Sequence, residues 1–179
     1  MLDIVVSIFA LPIGLPFFVF SCLVVFFTSR GPIFFVQTRV GKNGKVFQLI
    51  KIRTIKHEFG KIPGKMHTEQ DITKAGKILR KLRFDELPQI WNILKGEMSW
   101  VGPRPEIPFY YEHYKAKHPE YHQRQWVRPG IAGLAQLNNP NATPNDNLEK
   151  LTFDLDYVRK ATLFTDLKIL TQSFLFIWK

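Results

Sequence analysis

The sequence predicts an α+β chain, mostly helical, in two parts. A hydrophobic helix occupies residues 1–29, and a compact domain with a short β-hairpin occupies residues 30–179. Three observations carry this reading. First, no charged residue occurs over the 26 positions 4–29, and a straight helix of that length reaches roughly 39 Å, enough to cross a bilayer core. Second, strand-forming residues at 34–38 and 46–52 flank Asn43-Gly44, which suits a hairpin turn. Third, Ile72, Ala75, Ile78, Leu79 and Leu82 recur at helical spacing. A length of 179 residues leaves room for one ordinary domain beside a membrane segment.

The N-terminal segment has no basic region before its apolar run and no clear small-residue cleavage site after it, which disfavours a cleaved signal peptide. Pro12 and Pro16, with Gly14 between them, each bend a helix. The residues alone leave two topologies equally open: a kinked spanning helix, or one that enters the bilayer, breaks near Pro16 and leaves by the same face. The single Cys22 excludes an intrachain disulfide and reads as a packing residue. Net charge is +10, concentrated between Ser29 and Arg83, where fourteen Lys or Arg face three Asp or Glu. A basic body directly after an apolar anchor suits the cytoplasmic face of an anionic membrane. Nucleic acid is not expected as a partner, since no recognition helix, zinc-finger spacing or RNA-binding aromatic signature is present.

Along the helix at 72–82, Lys74, Lys77 and Lys81 form a separate face. It reads as solvated surface or as a phosphate or headgroup contact. Asp85 then stands where the N-cap of a second helix belongs, with Pro88 in its first turn and Gly96 ending it. A carboxylate so placed near several cations is held ionised and can act as a nucleophile or metal ligand. Taken alone, an Asp before a helix such as Asp85 reads first as a simple cap. Residues 106–117 are aromatic-rich, with Tyr110, Tyr111 and Tyr114, and are expected to be helical up to Pro119. His113, His118 and His122 match no zinc spacing. Residues 163–178 suit a buried helix or, better for a membrane-bound protein, an amphipathic helix in the membrane interface, with Trp178 and Lys179 near the headgroups.

The central run Arg80, Asp85-Glu86-Leu87-Pro88-Gln89, Lys95-Gly96-Glu97-Met98-Ser99 and Val101-Gly102-Pro103-Arg104-Pro105 resembles the signature of the monotopic phosphoglycosyl transferases, or bacterial sugar transferases. The resemblance extends through Gly31-Pro32, Gln37-Thr38-Arg39-Val40-Gly41, Lys51-Ile52-Arg53-Thr54, Val127-Arg128-Pro129-Gly130-Ile131, Gly133-Leu134-Ala135-Gln136 and Asp166-Leu167-Lys168-Ile169. It therefore covers nearly the whole chain and looks like the small catalytic-core form. Glu97, Trp100 and Ile55 stand where Asp, Leu and Met are more usual, and Leu15 replaces the small polar residue before the break at Pro16.

The resemblance implies a re-entrant, monotopic helix over 1–29 in the bacterial inner membrane. The domain over 30–179 becomes a cytoplasmic catalytic domain with interfacial amphipathic helices, including the C-terminal one. It implies a sugar-1-phosphate transfer from a UDP-sugar to polyprenyl (undecaprenyl) phosphate, releasing UMP, with Asp85 as covalent nucleophile and Glu86 as second carboxylate. Mg²⁺ is the expected cofactor, held by Asp85 and Glu86 with phosphate oxygens. Arg53, Arg80, Arg104 and Arg128 are the expected phosphate ligands, guanidinium forks being suited to phosphate oxygens. Membrane lipids and downstream glycosyltransferases are implied partners, and a homodimer is compatible. Two other readings are carried: a UDP-releasing glycosyltransferase using Asp154-Leu155-Asp156 as a metal motif, and a non-catalytic membrane scaffold. Against the first, the family places a structural Asp-x-x-Tyr at Asp154 and Tyr157. Against the second stands the constellation of Asp85, Glu86 and the arginines.

Overall fold

The computed structural model describes residues 2–56, 69–139 and 147–177. Trp178 and Lys179, expected near the headgroups, lie outside them. The first element, α1 (Leu2–Thr28), is one continuous helix through Pro12 and Pro16. Each proline lacks the amide for one backbone hydrogen bond, yet the helix ends at neither, so the break expected at Pro16 does not interrupt it. Only 11% of its most apolar window is buried, and Ile4, Ile8, Phe9, Ile13, Phe20 and Phe27 are exposed on it. By length and composition it can cross a membrane.

The hairpin forms as the residues dictate: β1 (Phe34–Val40) pairs antiparallel with β2 (Val46–Ile52), Phe34 opposite Ile52 and Val40 opposite Val46. Asn43 and Gly44 take left-handed φ values of 55° and 74° in the turn, which Asn and Gly tolerate best. Phe47 and Leu49 point from one face of β2 into a core with Ile93 and Met98. From the other face Ile52 packs with Val25 of α1 and Leu79. The helix α2 (Lys74–Lys81) is capped by Thr73, whose hydroxyl accepts from the Gly76 amide at 2.9 Å.

A short helix, α3 (Gln89–Leu94), follows and ends at Gly96, φ +76°. The Gly96 amide donates to Ile93 and the Glu97 amide to Asn92, which is the paired closure that a left-handed glycine permits. Asn92, 1% exposed, takes the place of a third strand beside β2: its amide donates to the Gln48 carbonyl at 2.8 Å and accepts from the Ile50 amide at 3.3 Å.

The rest comprises α4 (Pro108–Lys117), α5 (Leu134–Asn138), α6 (Asn147–Lys160) and α7 (Leu163–Ile177), with two three-residue strands, β3 (Ser99–Val101) and β4 (Gly130–Ala132). The last two pair in parallel, a pairing too short for any alternation to reveal. It is very tight, because a Cβ on Gly130 would lie 2.1 Å from the Gly102 nitrogen. Val101 packs with Tyr157 of α6 and Ile169 of α7. The Tyr157 hydroxyl lies 2.8 Å from Asp166, so the expected Asp-x-x-Tyr is structural at its tyrosine.

Both ends of α1 are fixed to the rest of the fold. At its start Asp3 accepts from the Ser99 hydroxyl at 2.7 Å and the Trp100 amide at 3.0 Å, and the Trp100 indole donates to Ser7 at 3.0 Å. Midway, Phe17 packs on Phe84 and Phe18 on Phe34. At its end the Arg53 guanidinium donates to the carbonyls of Arg30 and Ser29 at 2.6 and 2.9 Å.

Candidate active site

The carboxylate pair is built by a break in backbone hand. Arg83 sits at φ 59°, ψ 17°, so the chain leaves α2 and starts a new turn at Phe84–Glu86. Leu87 and Pro88 keep helical dihedrals into α3. Asp85 therefore lies inside the first turn, not at an N-cap, and makes no capping bond. This corrects the cap expected from the sequence: Pro88, fixed near φ −60°, is compatible with a turn that begins earlier. Side-chain cations, rather than the end of a six-residue helix, govern the charge here.

Glu86 is 6% exposed and takes three of them. Its Oε1 lies 2.7 Å from Lys51 Nζ and 3.3 Å from both terminal nitrogens of Arg104, and its Oε2 lies 3.4 Å from Arg83. Burial alone pushes the Glu86 carboxyl up, but Lys51 and Arg104 outweigh it and hold the group well below the usual carboxylate range. Burial likewise pulls the Lys51 ammonium down, opposed by Glu86. The 2.7 Å contact between these groups has the length of a charge-assisted bond.

Asp85 is equally buried at 6% exposure, yet its environment differs. Among the described residues its carboxylate makes no side-chain hydrogen bond or ion pair. Burial raises its pKa, Lys51 pulls it back, and the neighbouring Glu86 charge adds to the rise; the net direction is upward. Two adjacent carboxyls are thus driven apart, one locked to cations and one left uncommitted.

Of the expected phosphate ligands, the structure brings Arg80 and Arg104 to this pair. Arg80 is braced by the Thr54 hydroxyl at 2.8 Å and lies in the field of Asp85. Arg53 and Arg128 contact neither carboxylate. Arg53, expected as a phosphate ligand, holds the end of α1. Arg128 pairs with Asp3 at 3.5 Å, at the start of α1. Two guanidinium groups therefore serve opposite ends of one helix.

Lys51 and Arg83 are the site residues the sequence reading missed. A signal for Lys51 existed: it follows Phe47 and Leu49 on the inward face of β2, where an ammonium requires an anion. The Asp-x-Asp reading finds no support, because Asp154 is bound to Arg124 at 2.7 Å and Asp156 to Lys160 at 2.6 Å. Among the described residues no group of three His, Cys, Asp or Glu side chains could hold a metal ion.

Two buried carboxylates with a Lys and Arg surround are thus set beside a helix long and apolar enough to cross a membrane. The chain belongs to the bacterial sugar transferase family, whose model matches residues 1–179. It is 35% identical over 177 residues to a UDP-glucose:undecaprenyl-phosphate glucose-1-phosphate transferase of Caulobacter vibrioides, covering 96% of this chain and 66% of that protein. It is 35% identical over 175 residues to a UDP-N-acetylgalactosamine-undecaprenyl-phosphate N-acetylgalactosaminephosphotransferase of Aeromonas hydrophila, covering 96% of this chain and 41% of that one. An uncharacterised sugar transferase of Bacillus subtilis is 40% identical over 168 residues, covering 94% of this chain and 81% of that one.

Proposed function

We propose that this chain is a phosphoglycosyl transferase, moving a sugar-1-phosphate from a UDP-sugar to polyprenyl phosphate. The observation that carries the mechanism is the division of labour between Asp85 and Glu86. Asp85 is buried, without a side-chain hydrogen bond or ion pair among the described residues, and raised in basicity, which suits a nucleophile. Glu86 is spent on orienting Lys51 and Arg104. One Asp85 oxygen attacks the sugar-linked phosphorus, the bond from that phosphorus to the bridging oxygen breaks, and UMP leaves. A polyprenyl phosphate oxygen then attacks the same phosphorus and expels the Asp85 carboxylate, giving polyprenyl-diphospho-sugar. Lys51, Arg80 and Arg104 offset the charge of two anions meeting in one site.

A carboxylate with no ion pair among the described residues, Asp85, fits Mg²⁺, which takes one or two carboxylates and completes its shell with phosphate oxygens and water. Asp85 would hold the ion, whereas Glu86, the second ligand expected from the sequence, is already taken by Lys51, Arg83 and Arg104. When bound, it would neutralise diphosphate charge.

The acceptor's phosphate lies at headgroup level, so the site must be held there. We read α1 as re-entrant in the bacterial inner membrane, with the domain on the cytoplasmic face. Support comes from Asp3 and Ser29, opposite ends of α1, both being tied to that one domain; a spanning helix would carry one of them to the far side, roughly 40 Å away.

The test is intact-mass and peptide mass spectrometry of nanodisc-held protein with Mg²⁺ and a UDP-sugar panel including glucose and N-acetylgalactosamine. A phosphosugar adduct is expected on the Asp85 peptide, absent in Asp85→Asn, with UMP released. Release of UDP without an adduct would instead establish a glycosyltransferase.

A further inference from the structure

The loop that delivers Arg104 to Glu86 is fixed one carbonyl at a time. Pro103 and Pro105 supply no amide donors, and their stiff backbone is pinned from outside. The Pro103 carbonyl accepts from the Gly130 amide at 3.0 Å, that of Arg104 from Arg124 Nη2 at 3.0 Å, that of Pro105 from Arg39 at 2.8 Å, and that of Glu106 from the Val40 amide at 2.9 Å. The donor to Arg104 itself is the unusual one. Arg124 is 5% exposed, stacks on the Tyr121 ring at 4.7 Å, and its Nε meets Asp154 Oδ2 at 2.7 Å; Asp154 is 2% exposed. A line of contacts therefore runs from Asp154 on α6, through Arg124, to the backbone of Arg104 and on to Glu86 beside Asp85.

Such a pair is an expensive way to hold a fold together, since apolar residues of similar volume are often neutral or more stable in its place. Its geometry offers what apolar packing lacks: a rigid fork whose Nε faces Asp154 while Nη2 faces the Arg104 carbonyl. Misplacement of a catalytic group by about 1 Å can cost roughly 10²-fold in rate.

We propose that Arg124, oriented by Asp154, is a positioning residue that sets Arg104 for phosphoryl transfer. The proposal rests on the function given above. Arg124→Lys keeps the charge and the pairing with Asp154, but one ammonium lacks the two-way fork. Turnover in the UDP-sugar and polyprenyl phosphate assay is expected to fall about 10–100-fold, mainly in kcat, with the melting temperature close to the parent's. Arg124→Met combined with Asp154→Leu removes the pair without leaving a buried charge; it should fold as well as the parent and lose turnover to a similar degree.

The discriminating measurement is a double-mutant cycle with Arg104→Ala. If Arg124 acts through Arg104, adding Arg124→Lys to Arg104→Ala produces little further loss, whereas independent structural damage multiplies. Multiplicative losses would overturn the proposal, as would a well-folded Arg124→Met/Asp154→Leu protein with parental kcat. The parent protein separates the two failures. If it transfers no sugar phosphate from any donor, the functional reading fails; if it turns over while the variants match it, only the positioning role fails.

Discussion

Neutralising Glu86 should cost stability, whereas neutralising Asp85 should not. In Glu86→Gln the shape is kept, but Lys51, only 17% exposed at its side chain, loses its counter-charge. Removing one partner of a buried pair costs about 3–5 kcal/mol. Gln retains one acceptor for the ammonium, which places the expectation near the lower figure. Arg83 and Arg104, 41% and 45% exposed, add little, since water screens them. For a chain of this size about 3 kcal/mol lowers the melting temperature by roughly 6–12 °C. The dependence on pH follows from the directions of the shifts. Glu86 titrates lower folded than unfolded, so its contribution is complete above the unfolded value of about 4.3 and fades as pH falls through the lower folded value. Asp85 titrates higher when folded, so its charge opposes folding at neutral pH and that cost vanishes below about 3.9. Asp85→Asn should therefore match or exceed the parent at pH 7, with the difference closing toward pH 4. Thermal unfolding in nanodiscs, followed by tryptophan fluorescence from pH 4 to 8, measures both. If Asp85→Asn is the destabilised variant and Glu86→Gln melts within a degree of the parent, the division of roles between the two carboxylates is wrong.

Three further outcomes follow from the same geometry. Arg53→Met removes the donors at the end of α1 and should cost about 1–3 kcal/mol with the KM for UDP-sugar unchanged; a tenfold rise in KM would return Arg53 to the phosphate site. Gly130→Ala forces a Cβ to 2.1 Å from the Gly102 nitrogen and should destabilise by more than about 4 kcal/mol, read as lost folded yield. Asp3→Ala deletes the acceptor for Ser99, Trp100 and Arg128; hydrogen exchange should quicken in the first turns of α1 and in β3, while exchange at Val25 stays slow.

Much of the fold was legible because it is local. Asn43-Gly44 requires the left-handed values that they adopt, Gly96 closes α3 as its position predicts, and the spacing from Ile72 to Leu82 gives α2 a buried Leu79. The parallel pair β3–β4 was illegible: three residues carry no period, and the partners are 31 positions apart, Ser99 opposite Gly130. At the site, the adjacency of Asp85 and Glu86 was plain, but the cap assigned to Asp85 failed, since no sequence rule foretells the left-handed turn at Arg83.

Four arginines looked alike in the sequence, because a guanidinium fork fits a phosphate, a carboxylate and a backbone carbonyl equally well. Composition and motif by themselves determined that the chain has an apolar N-terminal helix, a basic body and a carboxylate pair. Only the tertiary structure decided that Arg104 faces Glu86, that Arg53 and Arg128 hold the two ends of α1, and that Asp85, unlike Glu86, makes no ion pair among the described residues. The reason is physical: a charge's role is set by what lies within about 4 Å of it, and that distance is crossed mostly by residues far apart in the chain.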